Sequence, residues 1–521
     1  MLQQLLRYYE SCKMRRHLPF FFLILTSLLP LFVRGQGKSE PKKIDLISAE
    51  NMIYDKLKGE YTLLIGNVIF QHEEILLYCD SAYLYDATNN LDAFGSIHIK
   101  GSDSLNIYGD SLKYDGNTKI AEIHKHVKLI DNQITLTTEH LTYDLKAKTG
   151  KYYDGGKIVD PENTLTSKKG FYYSETKDFL FNDSVVLINV DYTILSDSLV
   201  YNTASEISHF NGPTVIVSDD NYIYTEKGWY NTLKDIAEFT KNSLMKNKSQ
   251  FLTGDSIYYN RIKGLGLAYR NVIILDTQRN SMVKGDFVRY DEKNEYSLAT
   301  GNALFIQIDE NKDSLFLHAD TLIGTFDTVT QKAKILYAFH HVKFFRDDLQ
   351  GMCDSLVYNY GDSTIRMLYD PIIWTENNQL SADTVIIQIS NSRIDKLYLQ
   401  KSSYVISSDD TTESRYNQVK GINMTGYFIE GELKKIHVSG NSETIYFMRD
   451  GDDKKIGINK AIATNLDIYI TKNEISSITF LEKPVATLYP DKDLSVKELF
   501  LKNFRWLEKF RPKVKTDIFK L

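Results

Sequence analysis

The chain has 521 residues, of which 42% are hydrophobic and 25% are charged, and its net charge is −6. These values are typical of globular proteins and exclude wholesale disorder. The mild negative charge argues against a nucleic-acid partner, because such a partner needs a clustered basic face. The 35 tyrosines and 26 phenylalanines favour strands over helices.

The N-terminus carries the features of an export signal. A basic stretch at residues 13–16 precedes an apolar run at residues 18–33, and the small residue Gly35 follows. This order predicts a signal peptide over residues 1–35 that is removed on export. A retained membrane anchor is the alternative, although sixteen residues interrupted by two prolines are short for a membrane span.

A seven-residue pattern recurs along the chain with a period near 30 residues. It reads Gly-Asp-Ser-Leu-Lys-Tyr-Asp at residues 109–115, and close copies begin at Ser196, Gly254 and Cys353. A degenerate copy is expected at residues 168–172. Such a period predicts a stacked array in which each repeat contacts its neighbours. The acidic residues of the copies are Glu50, Asp80, Asp110, Glu139, Asp197, Glu226, Asp255, Asp286, Asp320, Asp354 and Asp383.

Each copy continues with a polar turn and a second apolar segment. Asn271-Val272-Ile273-Ile274 and Gly301-Asn302-Ala303-Leu304 are two examples. Alternation of apolar and polar residues, as in Leu112-Lys113-Tyr114, predicts half-buried strands. The short polar turns between them predict antiparallel pairing. The pattern weakens after about residue 300.

The last segment differs from everything before it. Val496, Leu499, Phe500 and Phe504 fall largely on one helical face, so an amphipathic helix is predicted over residues 494–510. A basic tail follows it. In a repeat array this helix is expected to cap the last repeat, and docking to a partner is the alternative.

Together these features resemble the OstA-like repeat family. The family includes the periplasmic lipopolysaccharide-transport bridge protein and the periplasmic domain of its outer-membrane partner. The resemblance covers residues 45–400, and more weakly residues up to 490, while the tail around Phe504-Arg505-Trp506 is similar to that of long OstA-like proteins of Bacteroidetes. The chain departs from the family in being longer than the bridge protein and in lacking a second half that could form a transmembrane barrel.

The resemblance implies an all-β fold: an extended antiparallel β-jellyroll, or β-taco, stack of about 30-residue repeats with a short C-terminal helix. The expected divisions are a signal peptide (1–35), the repeat array (36–400), divergent β-repeats (401–490) and the C-terminal helix with its basic tail (491–521). The implied function is binding and transport of lipopolysaccharide in the periplasm of a Gram-negative bacterium, as part of a bridge to the outer membrane.

The resemblance also implies partners. These are lipopolysaccharide or another glycolipid, an outer-membrane LptD-like barrel, an inner-membrane LptC-like component, and further copies joined head to tail by β-augmentation. Acyl chains would lie in an apolar groove between two sheets. The predicted groove residues are Leu112, Tyr114, Val127, Leu129, Ile134, Leu136, Leu141, Tyr143, Leu199 and Tyr201.

The recurring acidic residue has two interpretations. It could bind Ca²⁺ or sugar hydroxyls, or it could shape a corner of the chain through local hydrogen bonds. Equivalent residues of neighbouring repeats, about 10 Å apart, are too distant to share one ion, so we favour the corner. His340 with His341, and His124 with His126, lack a third ligand at a recognisable spacing. We therefore predict neither a metal nor a cofactor.

No motif for nucleophilic catalysis is recognisable, and Gly264–Ala268 lacks the spacing of a nucleotide loop. We therefore predict that the protein is not an enzyme. Two alternatives stay open: a structural or adhesive surface β-solenoid, and, less favoured, a polysaccharide-active enzyme on a β-helical scaffold with paired carboxylates. Cys79 and Cys353 lie in distant copies, so both are expected to be buried and unpaired.

Overall fold

The computed structural model describes residues 42–520, except residues 56, 58, 102–103, 220, 309–313, 331, 391–392, 410–414, 431, 451–453, 472–473 and 491–492. The predicted signal peptide, residues 1–35, lies outside the described residues. Within the described ranges, no helix is both long enough and apolar enough to cross a membrane.

Thirty-six strands joined by short turns make up most of the described chain. The first eighteen are β1 (Asp45–Ser48), β2 (Asn51–Tyr54), β3 (Thr62–His72), β4 (Ile75–Tyr85), β5 (Asn90–Lys100), β6 (Asn106–Asp115), β7 (Ile120–Asp131), β8 (Ile134–Asp144), β9 (Thr149–Tyr152), β10 (Gly156–Val159), β11 (Thr164–Ser167), β12 (Lys169–Tyr173), β13 (Asp178–Ile188), β14 (Thr193–Asn202), β15 (Ile207–Val217), β16 (Tyr222–Asn231), β17 (Ile236–Lys241) and β18 (Ser243–Lys246). The others are β19 (Gln250–Gly254), β20 (Ser256–Asn260), β21 (Leu265–Asp276), β22 (Ser281–Asp291), β23 (Tyr296–Gln307), β24 (Leu315–Phe326), β25 (Ala333–Arg346), β26 (Leu349–Asn359), β27 (Thr364–Leu368), β28 (Ile372–Thr375), β29 (Asn378–Ser381), β30 (Thr384–Ser390), β31 (Arg393–Ser408), β32 (Tyr416–Ile429), β33 (Glu432–Arg449), β34 (Lys455–Thr471), β35 (Glu474–Leu481) and β36 (Val485–Tyr489).

Each long strand bends at a corner and so contributes to two sheets. In β3, residues 62–65 pair with one end of β4 and residues 68–72 pair with the other end, both antiparallel. Gly66 and Asn67 stand unpaired between them with φ of 84° and 44°. This β-bulge turns the strand. We call the sheet that contains residues 62–65 sheet A, and the sheet that contains residues 68–72 sheet B.

The corners recur with the repeat, so the predicted antiparallel repeat stack is confirmed. Two bent strands form each repeat, and each gives one segment to sheet A and one to sheet B. Corners with two successive left-handed residues lie at 66–67, 95–96, 125–126, 183–184, 270–271, 301–302, 340–341, 369–370, 401–402, 440–441 and 482–483.

The corners also continue through residues 401–490, where the sequence pattern is faint. Strands β31 and β33 grow to 16 and 18 residues there, so successive corners move apart. A longer strand keeps the same bend while it breaks the regular spacing, and this is why the sequence period fades.

The inner faces of the two sheets share one core. In β7, the residues Ala121, Ile123, Val127 and Leu129 are buried at alternate positions on either side of the corner, as expected for strands with one apolar face. Cys79 and Cys353 are free and buried, which confirms the prediction for both. Burial raises the pKa of each thiol to about 12, so neither is a reactive nucleophile.

The C-terminal segment does not form the predicted amphipathic helix. It contains three short 3₁₀ helices, Val496–Leu499, Glu508–Phe510 and Asp517–Phe519, joined by turns and irregular chain. Phe504 and Trp506 pack on Tyr416, at 5.0 and 5.1 Å between ring centroids, and Phe500 packs on Phe504 at 4.6 Å. Tertiary packing has overridden the helical period, which is a weak determinant by itself.

We call residues 494–520 the strap. From β34 it runs back along the outer face of sheet B to β24, where Phe519 lies against the His318 ring. The Lys460 ammonium donates to the carbonyl of Glu498 near the start of this path. The strap therefore lies on the outside of several repeats, and not over the end of the last repeat, where the capping prediction placed it.

Candidate functional site

The recurring acidic residue lies at the corners, where it accepts a hydrogen bond from the left-handed residue of the next strand. Asn271 Nδ2 donates to Asp255 Oδ1 at 3.2 Å. In the degenerate copy Lys168 stands where the other copies have an acidic residue, and it pairs with Asp183 at 3.5 Å. The contact at this corner is therefore kept with its charges reversed. Equivalent contacts join Asn67 to Glu50, Ser96 to Asp80, His126 to Asp110, Asn242 to Glu226 and Asn302 to Asp286. The corner interpretation is confirmed.

The corner also explains why the second half of a copy begins with Gly-Asn. Gly301 and Asn302 have φ of 72° and 52°, a region that glycine and asparagine adopt most readily. A Cβ on Gly301 would lie 2.8 Å from the Cβ of Asp286, closer than unbonded carbon atoms pack. The geometry of the bend therefore accounts for this part of the motif.

The paired histidines belong to the same corners. Nδ1 of His341 lies 2.9 Å from Asp320 Oδ2, and Nδ1 of His340 lies 3.2 Å from Asp354 Oδ1. The hydrogen bond between His126 and Asp110 raises the pKa of His126. In the ranges that the structure describes, no group of three His, Cys, Asp or Glu side chains is arranged to hold a metal ion.

All ten predicted groove residues project between the sheets and are buried there. Leu112, Leu141 and Tyr143 are only 2%, 1% and 0% exposed. In this part of the array the two inner faces pack directly against each other. Whether these ten residues contact a lipid stays a prediction, because such contact requires the sheets to separate.

Opposite the corners, the free ends of sheets A and B face each other along a line that we call the mouth. Several polar contacts span it. His72 Nδ1 of sheet B lies 2.5 Å from the Tyr114 hydroxyl of sheet A, and Lys119 Nζ donates to Glu73 Oε2. We call these contacts the mouth bridges. Further bridges join Lys43 to Asp86, Ile44 N to Asn89, and Asn163 to Tyr201.

A second buried bridge centres on Asp131 at the end of β7 in sheet B. Its carboxylate accepts hydrogen bonds from Lys177 Nζ at 2.8 Å, from Ser174 Oγ at 2.9 Å and from the Tyr172 hydroxyl, all on the sheet A side. Ser104 donates from a neighbouring turn. Burial opposes ionisation of Asp131, but these hydrogen bonds outweigh it and lower the pKa to about 2. Asp131 is therefore negatively charged in the folded protein, and we call this bridge the clasp.

The mouth bridges lie between residues 43 and 201, whereas two cavities open between the sheets farther along the chain. The first cavity has a volume of about 490 Å³, and the second a volume of about 570 Å³. The first is lined by Ile223, Leu252, Ile274, Val283, Phe305 and Ile335. The second is lined by Leu349, Ile387, Leu397, Val405, Val419 and Ile468.

Both cavities combine an apolar interior with a charged rim. Lys246 and Arg279 stand at the first cavity, and Arg346 and Arg393 stand at the second. Carboxylates such as Glu430 are interspersed with them. An apolar pocket with a few polar groups at its edge suits an amphiphile, whose chain enters the interior while its headgroup stays at the rim.

Sequence reasoning missed the cavity residues because it drew its candidates from the early copies. Val288 holds the same motif position as Leu112, and Ile274 corresponds to Leu129. Leu112 and Leu129 are buried in the packed section. Val288 is buried too but borders the smaller cavity, and Ile274 is only half-buried there. Identical positions in the repeat thus differ in packing, and the separation of the sheets carries no signal in the motif.

Comparison with known proteins identifies one family. The family model described as OstA-like protein matches residues 42–197 and 198–307. No curated protein matches the chain. Among solved structures, the chain is similar to LptH from Pseudomonas aeruginosa, described as the LptA homologous periplasmic component of the conserved lipopolysaccharide transport device. That likeness covers 23% of this chain and 82% of LptH, with 10% identity and a TM-score of 0.20, too slight to argue from.

Proposed function

Because the chain belongs to the OstA-like protein family, we propose that it is a periplasmic carrier of lipopolysaccharide or another glycolipid, acting without catalysis on the way to the outer membrane. The observation that carries this proposal is the pair of apolar cavities between the sheets, about 490 and 570 Å³ in volume. Each buried methylene of an acyl chain contributes about 0.8 kcal/mol to binding, so cavities of this size can hold a chain firmly.

A structural or adhesive solenoid is the competing function, and the cavities argue against it. A purely structural array gains most stability when its inner faces pack at full density, as they do around Leu141 and Tyr143. Unfilled apolar space around Ile387 and Leu397 costs stability, which a bound apolar ligand would restore.

Photo-crosslinking in cells tests the carrier. A photoreactive amino acid at Ile394, which is half-buried at the second cavity, is expected to capture a glycolipid. The control position is Tyr398, on the other face of the same strand. Absence of a lipid adduct at Ile394 in the folded protein contradicts the proposal. The same photoreactive amino acid at Leu112 tests whether lipid also enters the part of the array in which the inner faces of the two sheets pack against each other.

The ends of the array suit the proposed partners: an inner-membrane LptC-like component, an outer-membrane LptD-like barrel and further copies of the chain. Strands β1 and β2 begin the two sheets and pair on one side with β3, while β35 and β36 end them. Apolar residues are exposed at both ends: Met52 and Ile53 are 66% and 50% exposed, and Val485 and Leu488 are 61% and 50% exposed. Such edges add strands from a partner.

Charged residues on the last edge are expected to block head-to-tail assembly, since lysines on edge strands oppose strand addition. Sedimentation velocity over a range of concentrations should show the wild type associating and the variant V485K/L488K staying monomeric. The matched control is Val496→Lys, at a residue that is 73% exposed in the strap. Equal association of all three proteins would show that the edge is not the contact.

A further inference from the structure

Two glutamines of sheet B hold the strap by its main chain. Gln379 Nε2 donates to the carbonyl of Arg505 at 2.7 Å, and the amide of Leu507 donates back to Gln379 Oε1 at 2.7 Å. Gln418 makes the same double contact with the carbonyl of Leu499 at 2.8 Å and the amide of Leu501 at 2.9 Å.

Each glutamine amide thus pairs with residues i and i+2 of the strap, as a neighbouring strand would. Both side chains are 1% exposed. Gln418 also accepts from the Tyr404 hydroxyl at 2.8 Å and donates to the carbonyl of Tyr416 at 3.2 Å, so it keeps partners when the strap leaves. Gln379 would lose the contacts described above at both ends of its buried amide, which is costly. The double contact therefore fixes the position of the strap relative to sheet B.

The same strands form one wall of the larger cavity. Leu380 and Val419 line that cavity, and each stands next in sequence to a strap-bound glutamine. Successive side chains of a strand point to opposite faces. One face of this sheet B segment therefore borders the cavity, and the other face holds the strap.

Apolar packing reinforces the strap at the same place. Tyr404, Ile406 and Tyr416 are buried on the outer face beneath Phe500, Phe504 and Trp506. The inner face of this part of sheet B is apolar too and lies opposite the inner face of sheet A across the cavity, so the two faces would gain by closing on each other. Closure requires this wall to bend. The strap opposes bending because it is bonded to three strands of the wall, at Gln379, Gln418 and Lys460.

We propose that Gln379 and Gln418 are positioning residues for the lipid site: by fixing the strap to the outside of sheet B, they hold that wall away from sheet A and keep the larger cavity open. The choice of lipid as the ligand rests on the proposed function, whereas the coupling between strap and cavity does not. The smaller cavity has its sheet B wall at residues 222–305, ahead of the strap, and should respond little.

The test compares the variant Q379L/Q418L with the wild-type chain. The matched control is Gln388→Leu. Gln388 also donates to a main-chain carbonyl, that of Asp362 in the turn between β26 and β27, but it makes neither of the two strap contacts described above. Hydrogen exchange of residues 494–510 reports strap release. Electron-electron resonance between nitroxides at Asp348 and Glu432, both at the rim of the larger cavity, reports the separation of the sheets.

Release of the strap is expected to shorten the distance between the nitroxides and to weaken binding of cis-parinaric acid, a fluorescent fatty acid, about tenfold or more at the larger cavity. Crosslinking from Ile274 in the smaller cavity should be unchanged. If hydrogen exchange shows that the strap stays docked in the double variant, a chain truncated after Tyr489 replaces it.

Two outcomes overturn the inference. One is a released strap with unchanged distance and unchanged affinity. The other is loss of binding at both cavities together with a general loss of hydrogen-exchange protection, which would mean that the strap only stabilises the fold. If the wild type binds no fatty acid but the distance still shortens on release, the coupling stands and the proposed lipid function fails.

Discussion

Replacing Asp131 by asparagine is expected to lower the free energy of unfolding by about 3 kcal/mol. The carboxylate is 2% exposed and holds Lys177, Tyr172 and Ser174 across the mouth. Asparagine removes the negative charge, leaves the Lys177 ammonium, whose side chain is 31% exposed, without its counter-ion, and weakens the hydrogen bonds from Tyr172 and Ser174. Urea unfolding of the purified protein, followed by far-ultraviolet circular dichroism, measures the loss.

The same clasp gives the stability a definite dependence on pH. The folded pKa of Asp131, about 2, is below its ordinary value of 3.8, so the unfolded chain binds more protons between these values. The contribution of the clasp is therefore complete above about pH 4 and is lost as the pH falls toward 2. The asparagine variant should lack this part of the acid dependence.

The control is Asp110→Asn. Asp110 also contacts a partner, His126, but its side chain is 49% exposed, and exposed ion pairs contribute little to stability because water screens them. Equal stability losses in the two variants would contradict the clasp, because they would show that burial across the mouth adds nothing to the contact.

Filling the smaller cavity is expected to abolish lipid binding there without unfolding the protein. Val283 is half-buried and lines the cavity, so the variant Val283→Trp places an indole where a chain would enter. Binding of a fluorescent fatty acid at this cavity should fall at least about tenfold. The melting temperature should stay near that of the wild type, since the ring occupies space that is already open.

Lys284→Trp is the matched control for this variant. Lys284 is the next residue of β22, and its side chain points to the other face of the sheet. It adds the same ring to the protein surface and should leave binding unchanged. If both tryptophan variants bind the probe as the wild type does, the cavity is not the lipid site.

Much of the fold was predictable because the bend needs particular residue types. An acidic residue such as Asp255 and a left-handed polar residue such as Asn271 recur together at many of the corners, so the period is visible in the sequence. The alternation around Leu112 and Tyr114 likewise records which face is buried. Both patterns depend on residues within one or two neighbouring strands, so they can be recognised in a single sequence.

The C-terminal prediction failed for a nonlocal reason. Leu499, Phe500 and Phe504 have helical spacing, but their partners are Tyr416 and the amide of Gln418. Those partners lie more than 80 residues earlier in the sequence. An extended strap satisfies them together, whereas a helix would have used its main-chain groups internally.

By itself, the sequence determined the repeat, the corners, the antiparallel stack and the buried, unpaired cysteines, since each depends on residues within one copy or on the distance between copies. Only the tertiary structure shows where the inner faces of the two sheets pack against each other and where a cavity separates them. Ile274 and Leu129 share a motif position, yet Ile274 is half-buried at a cavity while Leu129 is fully buried between packed sheets. The difference lies in contacts between distant segments: the clasp at Asp131 joins the sheets, and the strap lies outside sheet B where the larger cavity opens.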